Sequence, residues 1–345
     1  MATTKNRLSN LELLRVVAMI FIMFGHSSLR INALPTSNAF VTNPLYSFLA
    51  IMSGCIATTG VGIFIVISGW FGIRFSGKGL LKYLFQVFFL LWLIYGIAIV
   101  SGSSEFNSSG VKYSLCFYDG YWFVLAYLGL YLASPVLNIF IEHAKKKDFQ
   151  IVLISYFLFQ SVYSWLSAWY DYYNGYSIIM FCGIYLTAAY IRKFPVDWIF
   201  RNSWQLLFAT ILIMSIIASL STWLFGNAGR QIRDDNPLVI FACILFVMCF
   251  SKIKLQSKVV NWLAASCFAV YLIHYSPFVY PYFMSLVRYV NDIFTGWMSL
   301  PAMLTTLLVA FLLCTLFDQI RIWLWKLFFI KFDKEEVVKD KGQRR

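Results

Sequence analysis

The chain has 345 residues, of which 60% are hydrophobic, 19% aromatic and only 12% charged, with a net charge of +13. Soluble domains are about 45–50% apolar and about 25% charged, so this composition excludes a disordered chain and argues against a soluble globular one. It suits a lipid-embedded bundle with aromatic belts, and the placement of the charges decides what the excess of cations means.

Taken in chain order, Lys5 and Arg7 precede an apolar run, as in a signal peptide. Glu12 and Arg15 fall early in that run, however, and no small-x-small cleavage site follows Gly25. The run therefore reads as a retained first span. Apolar stretches that can cross a bilayer fall at 11–31, 58–73, 83–100, 121–141, 149–170, 176–191, 204–225, 237–251, 259–283 and 299–320. The expected fold is all-α: a polytopic membrane bundle of about ten transmembrane helices at roughly 20 residues per span. The small-residue stretch 45–57 is expected as a re-entrant or interfacial piece before the second span. Pro135 and Asn138 are expected to mark a break in the fourth span.

Both termini are expected in the cytoplasm. With the N-terminus inside, inner segments hold 22 of the 28 Lys and Arg, and outer segments hold Arg30, Lys112, Arg230, Arg233 and Arg288. That asymmetry follows the positive-inside rule and explains the cationic excess without nucleic acid. Residues 331–345 form a charged cytoplasmic tail, expected to be disordered. The seven cysteines, Cys55, Cys116, Cys182, Cys243, Cys249, Cys267 and Cys314, form no CxxC pair and read as packing thiols. No metal spacing, P-loop or nucleophile elbow is present in the sequence.

Ionisable groups inside a membrane are costly, by about 2.5–3.5 kcal/mol each on insertion scales, and mark candidate sites. The first span carries Glu12, Arg15 and His26. Glu12 and Arg15 are three apart and can meet on one face. His26 lies eleven residues beyond Arg15, about three turns and about 16 Å along the same face. Arg15 reads either as a donor contact or as a cation snorkelling to the inner headgroups with Glu12 as partner. His26 reads either as a titratable base or as a structural histidine. His143, beside Lys145–Lys147, is expected in solvent. His274, in FAVYLIHYSPF, reads as a kink or packing histidine or as a cavity-lining one. Gly60, Gly62, Ser68 and Gly69 permit close helix approach. Asp119 marks the outer entrance of the fourth span.

Four segments together resemble the acyltransferase-3 family of integral membrane acyltransferases. Arg15 and His26, with ten residues between them, are similar to its Arg/Lys-x10-His signature. Phe64-Ile-Val-Ile-Ser-Gly-Trp70 resembles its FFxxSG segment. Tyr121-Trp-Phe-Val-Leu-Ala-Tyr-Leu128 resembles an aromatic outer-mouth segment, and Phe268–His274 a YLIH-type one. The resemblance covers at least residues 8–283, and makes 1–330 an integral membrane acyltransferase domain.

The resemblance implies transfer of an acyl group, most often acetyl, from cytoplasmic acyl-CoA to a hydroxyl of a cell-surface or lipid-linked carbohydrate. It implies a multi-pass protein of the bacterial inner membrane. His26 would be the catalytic base and Arg15 its motif partner, supported by Glu12; a covalent acyl-histidine is the variant mechanism. Ser68 and Gly69 would line the tunnel, with Arg74, Lys78 and Lys82 meeting the CoA head. Many members carry an RxxR pair there; here the loop reads GIRFSGKGLLKY, which keeps charge but loses part of the bidentate geometry. Asp119, Tyr121, Trp122 and His274 would contact the sugar. The implied partners are a carbohydrate or glycolipid acceptor, membrane lipids, and a homodimer or polysaccharide-assembly partners, with no nucleic acid and no metal. A transporter or flippase for a polysaccharide intermediate, and a non-catalytic scaffold, are the alternatives.

Overall fold

The computed structural model describes residues 8–31, 34–163, 177–226 and 232–342, and all regular structure among them is helical. Helix α1 spans Ser9–Ile31, α2 Ser37–Thr42, α3 Pro44–Phe71, α4 Gly77–Val100 and α5 Ser108–Ser114. Then come α6 Trp122–His143, α7 Lys146–Tyr156, α8 Ile178–Lys193, α9 Asp197–Arg201, α10 Ser203–Phe225 and α11 Pro237–Ser251. The last four are α12 Lys258–Ala264, α13 Cys267–His274, α14 Tyr280–Ile293 and α15 Ser299–Gly342.

Six helical segments are long and apolar enough to cross a membrane: Ser9–Ser27, Pro44–Phe71, Gly77–Val100, Ser108–His143, Ser203–Phe225 and Gly296–Phe328. The other four expected spans are helical but shorter or interrupted. Helix α11 is apolar but has 15 residues, and α8 has 16. The 149–170 stretch passes from α7 into a π-helical turn at Phe157–Tyr163, and its remainder from 164 lies outside the described residues. The 259–283 stretch is broken twice, at Ala265–Ser266 and after His274.

Two sequence expectations are corrected. The 45–57 stretch is not a separate interfacial piece: α3 runs unbroken for 28 residues. Pro44 sits in its first turn, where a missing N–H costs nothing, and Asn43 caps it through Tyr46 N–H. Nor does Pro135 break α6. A proline deprives the carbonyl four residues earlier of its partner. That carbonyl is Tyr131, and the Ser134 hydroxyl donates to it at 2.7 Å, so the helix continues. Asn138 bonds instead to Ile73 and Tyr185. In addition, α15 takes the backbone of most of the 331–345 stretch into helix, through Gly342.

Helix α3 is the axle of the bundle and packs against α1, α8, α10 and α11. In lipid, helices gain by close contact rather than by leaving water, so small residues sit where they cross. A Cβ on Gly60 would lie 2.8 Å from the Ala18 carbonyl of α1, and one on Gly69 2.3 Å from the Tyr185 carbonyl of α8. Outward-facing Leu132, Val136 and Ile139 of α6 and Leu308, Leu312 and Leu316 of α15 are exposed, as a lipid-facing surface requires. Six of the cysteines are buried and all seven are free thiols.

One end of the bundle is tied by side chains that satisfy helix-end carbonyls. Asn10 Nδ2 donates to Phe250 O at 3.0 Å, Lys193 Nζ to Ile141 O at 2.6 Å, Lys252 Nζ to Arg201 O at 3.0 Å, and Arg192 to Trp70 O. Cations there complement the negative end of the helix dipoles. Gly69→Val should overpack the α3–α8 crossing at a cost of about 1–3 kcal/mol, lowering the unfolding temperature in detergent. Gly77→Ala, whose Cβ meets nothing within 4 Å, should leave it unchanged.

Candidate active site

The polar stripe of α1 faces inward. Arg15, Met19, Ile22 and His26, one side of that helix, line a single cavity of about 220 Å³. The 3.6-residue period places these side chains above one another, and α3 completes the wall with Val61, Phe64 and Ser68. Trp122, Phe123 and Tyr127 of α6 and Tyr83 of α4 supply an aromatic side. The break between α12 and α13 supplies the remainder: Ala264, Ala265 and Cys267 are small and leave room, with Phe268 and Tyr271 beyond them.

Arg15 and Glu12 pair as the spacing predicts. Arg15 Nη1 donates to both Glu12 oxygens, at 2.9 and 3.1 Å. Among the described residues this pair uses only one guanidinium nitrogen. The Arg15 side chain is 34% exposed, so this end of the cavity presents positive charge with donors to spare for an anion.

His26 sits at the other end. Its Nδ1 is 3.0 Å from His274 Nε2, and His274 Nδ1 is 2.7 Å from the Val270 carbonyl. The Tyr275 ring stacks on His26 with centroids 4.0 Å apart. Tyr280 Oη donates to the His26 carbonyl at 2.7 Å. His26 is therefore fixed on three sides by α13, α14 and the segment between them. Tyr271 Oη donates to Gly120 O at 2.6 Å, linking this cluster to the short 3-10 turn Asp119–Tyr121.

Ser68 donates to the Phe64 carbonyl at 2.9 Å. Its one hydrogen is thereby used, so the 3.2 Å contact with Tyr127 is donated by Tyr127. Tyr83 Oη donates to Val124 O at 2.8 Å, and its ring stacks on Phe268. These bonds hold the aromatic wall in place.

The remaining sequence candidates fall outside the cavity wall. Gly69 is the contact with α8. Arg74 and Lys82 are exposed and Lys78 half-buried, on the loop and first turns after α3. That loop is pinned. Ile73 N–H donates to Tyr185 Oη at 2.8 Å, Tyr185 Oη to Asn138 Oδ1 at 2.6 Å, and Asn138 Nδ2 back to Ile73 O at 2.8 Å. Ser76 exchanges two further bonds with Tyr131 Oη. Asp119 is exposed, Tyr121 is 1% exposed behind the wall, and of that trio only Trp122 reaches the cavity. His274 backs His26 and is not part of the cavity lining. His143 is exposed, as expected. Sequence reasoning missed Tyr83, Tyr275 and Tyr280, and reached Tyr127 and Tyr271 only as members of the Tyr121–Leu128 and Phe268–His274 segments, without a role. In a chain with 21 tyrosines no local signal separates the first three from packing residues. Among the described residues no group of His, Cys, Asp and Glu could hold a metal.

A family model described as an acyltransferase domain matches residues 8–318. The chain belongs to the acyltransferase-3 family. It is thus a membrane acyltransferase of that family, and the match spans every element that lines the cavity. No curated protein and no solved structure shows significant similarity to the chain.

The acyltransferase-3 cavity depends on the kink at Ala265–Ser266, and a buried ion pair holds it. Ser266 Oγ donates to Asp318 at 2.8 Å, and Arg321 binds both oxygens of Asp318 at 2.6 and 2.7 Å. Both members of the pair are nearly inaccessible. Asp318→Leu, which strands the Arg321 charge, should destabilise the protein by about 3–5 kcal/mol, and the double variant Asp318→Leu with Arg321→Met should recover most of that loss. Denaturation midpoints in detergent measure both.

Proposed function

We propose that this protein moves an acyl group, most often acetyl, from acyl-CoA at its inner face to a hydroxyl of a cell-surface or lipid-linked carbohydrate. The observation that carries this reading is that Arg15 and His26 open onto one cavity, about 16 Å apart along α1. A donor with an anionic head and a long arm fits such a cavity. Its phosphates lie against Arg15, with Glu12 orienting the guanidinium, and Arg74, Lys78 and Lys82 supply the surrounding field. The pantetheine arm carries the thioester along the aromatic wall to His26.

His26 accepts the proton of the sugar hydroxyl as its oxygen attacks the thioester carbonyl. The carbon–sulfur bond then breaks. The departing CoA thiolate takes the proton from the imidazolium, leaving an ester and free CoA. Trp122 offers an aromatic face for the sugar ring, while Asp119 sits on the exposed rim. The charge asymmetry supports a cytoplasmic position for the pinned, cation-rich end, in a multi-pass protein of about ten spans in a bacterial inner membrane.

Transfer of labelled acetyl from acetyl-CoA by purified full-length protein tests the reading. His26→Ala should lose about 10²–10⁴-fold in turnover. Wild-type turnover in that variant defeats the proposal. Arg15→Gln should raise the KM for acetyl-CoA by about tenfold or more, the worth of a hydrogen bond to a charged group. Failure to bind any CoA ester would favour the transporter alternative.

A further inference from the structure

The bond between His26 and His274 joins residues 248 positions apart and fixes where the protons lie. A carbonyl only accepts, so the 2.7 Å contact with Val270 O places a hydrogen on His274 Nδ1. In a neutral imidazole one nitrogen donates and the other accepts. His274 Nε2 therefore presents a lone pair, and it lies 3.0 Å from His26 Nδ1. For a neutral pair one arrangement satisfies both contacts: His26 carries its hydrogen on Nδ1 and its lone pair on Nε2.

We propose that His274 is a positioning residue that holds the His26 ring in the Nδ1–H tautomer, making Nε2 the basic nitrogen for acyl transfer. His274 holds the Nδ1 side of the His26 ring, and that ring lines the cavity while His274 does not. His274 is itself rigid: it is 1% exposed, ends α13, and meets the Phe283 ring edge-on at 5.7 Å. The tautomer of a histidine is set by the bond its other nitrogen makes. A ring without this acceptor is free to move its hydrogen to Nε2, where it blocks the base. This inference rests on His26 acting as the base and adds the part of the chain that prepares it.

The experiment compares His274→Gln with His274→Asn in the purified full chain. A glutamine oxygen reaches the place of Nε2 and can accept from His26; an asparagine oxygen stops short, near the place of Nδ1. His274→Gln should keep kcat within about threefold, while His274→Asn should lose about tenfold or more with the KM for acetyl-CoA unchanged, since general-base catalysis is worth about 10²–10⁴-fold. Wild-type kcat in His274→Asn, or equal losses in both variants, overturns the proposal.

A second measurement does not depend on activity. The chain has three histidines, so 15N-histidine labelling yields three ring systems, with His26 assigned by its loss in His26→Ala. The proposal expects a protonated Nδ1 and an unprotonated Nε2 on His26, and the opposite tautomer overturns it. Absence of acyl transfer alongside the expected tautomer would count against the catalytic reading alone.

Discussion

Inside hydrocarbon no water is available to a polar group, so each one must find its partner within the protein or open onto a cavity. That constraint organises this molecule. On α1 the acid and the base of a salt bridge satisfy each other, and the guanidinium and imidazole open onto one cavity. A helix whose polar stripe faced lipid would be unstable at about 2.5–3.5 kcal/mol per charged residue. The position of α1 in the bundle is thus set by the same residues that give the cavity its chemistry.

The constraint extends to the supporting elements. Where Pro135 interrupts the hydrogen-bond ladder of α6, the Ser134 hydroxyl takes up the orphaned carbonyl. Where the chain between α12 and α13 leaves helical geometry, the Ser266 hydroxyl turns to the Asp318–Arg321 pair. Where the loop after α3 leaves the bundle, Tyr185, Asn138 and Tyr131 close its backbone bonds. Irregular backbone at membrane depth is tolerated only when buried in protein or lining a cavity, and the α12–α13 break does both. A polar cavity in lipid thereby comes with a shell of satisfied bonds, and that shell holds the imidazole in a single orientation.

The family match gives the class of chemistry, and the geometry gives the cavity two unlike ends. One end of the cavity is cationic and the other carries a histidine buttressed by three aromatic or imidazole rings from distant sequence. In the proposed reaction the cationic end meets the donor and the histidine end moves the proton, so donor recognition and acyl transfer are separated along a single helix. This division puts binding energy remote from the reacting atoms, where it can position them.

Much of this was legible in the residues themselves. The eleven-residue interval from Arg15 to His26 is three helical turns, so their shared face follows from periodicity alone. The Glu12–Arg15 pairing follows from an interval of three, and the close approaches at Gly60 and Gly69 from the absence of side chains. The long apolar runs declared a helical membrane protein because twenty uncharged residues suit lipid and little else. Tertiary structure decided what depends on meetings across the chain. It set His274 behind His26 rather than in the cavity and divided 259–283 into short helices around a small-residue break. Both outcomes turn on partners that arrive from other helices, and hydropathy carries no record of such arrivals. Two others rest on local hydrogen bonds that hydropathy does not register either: the Asn43 cap opens an unbroken α3 that takes in 45–57, and Ser134 keeps α6 whole through Pro135.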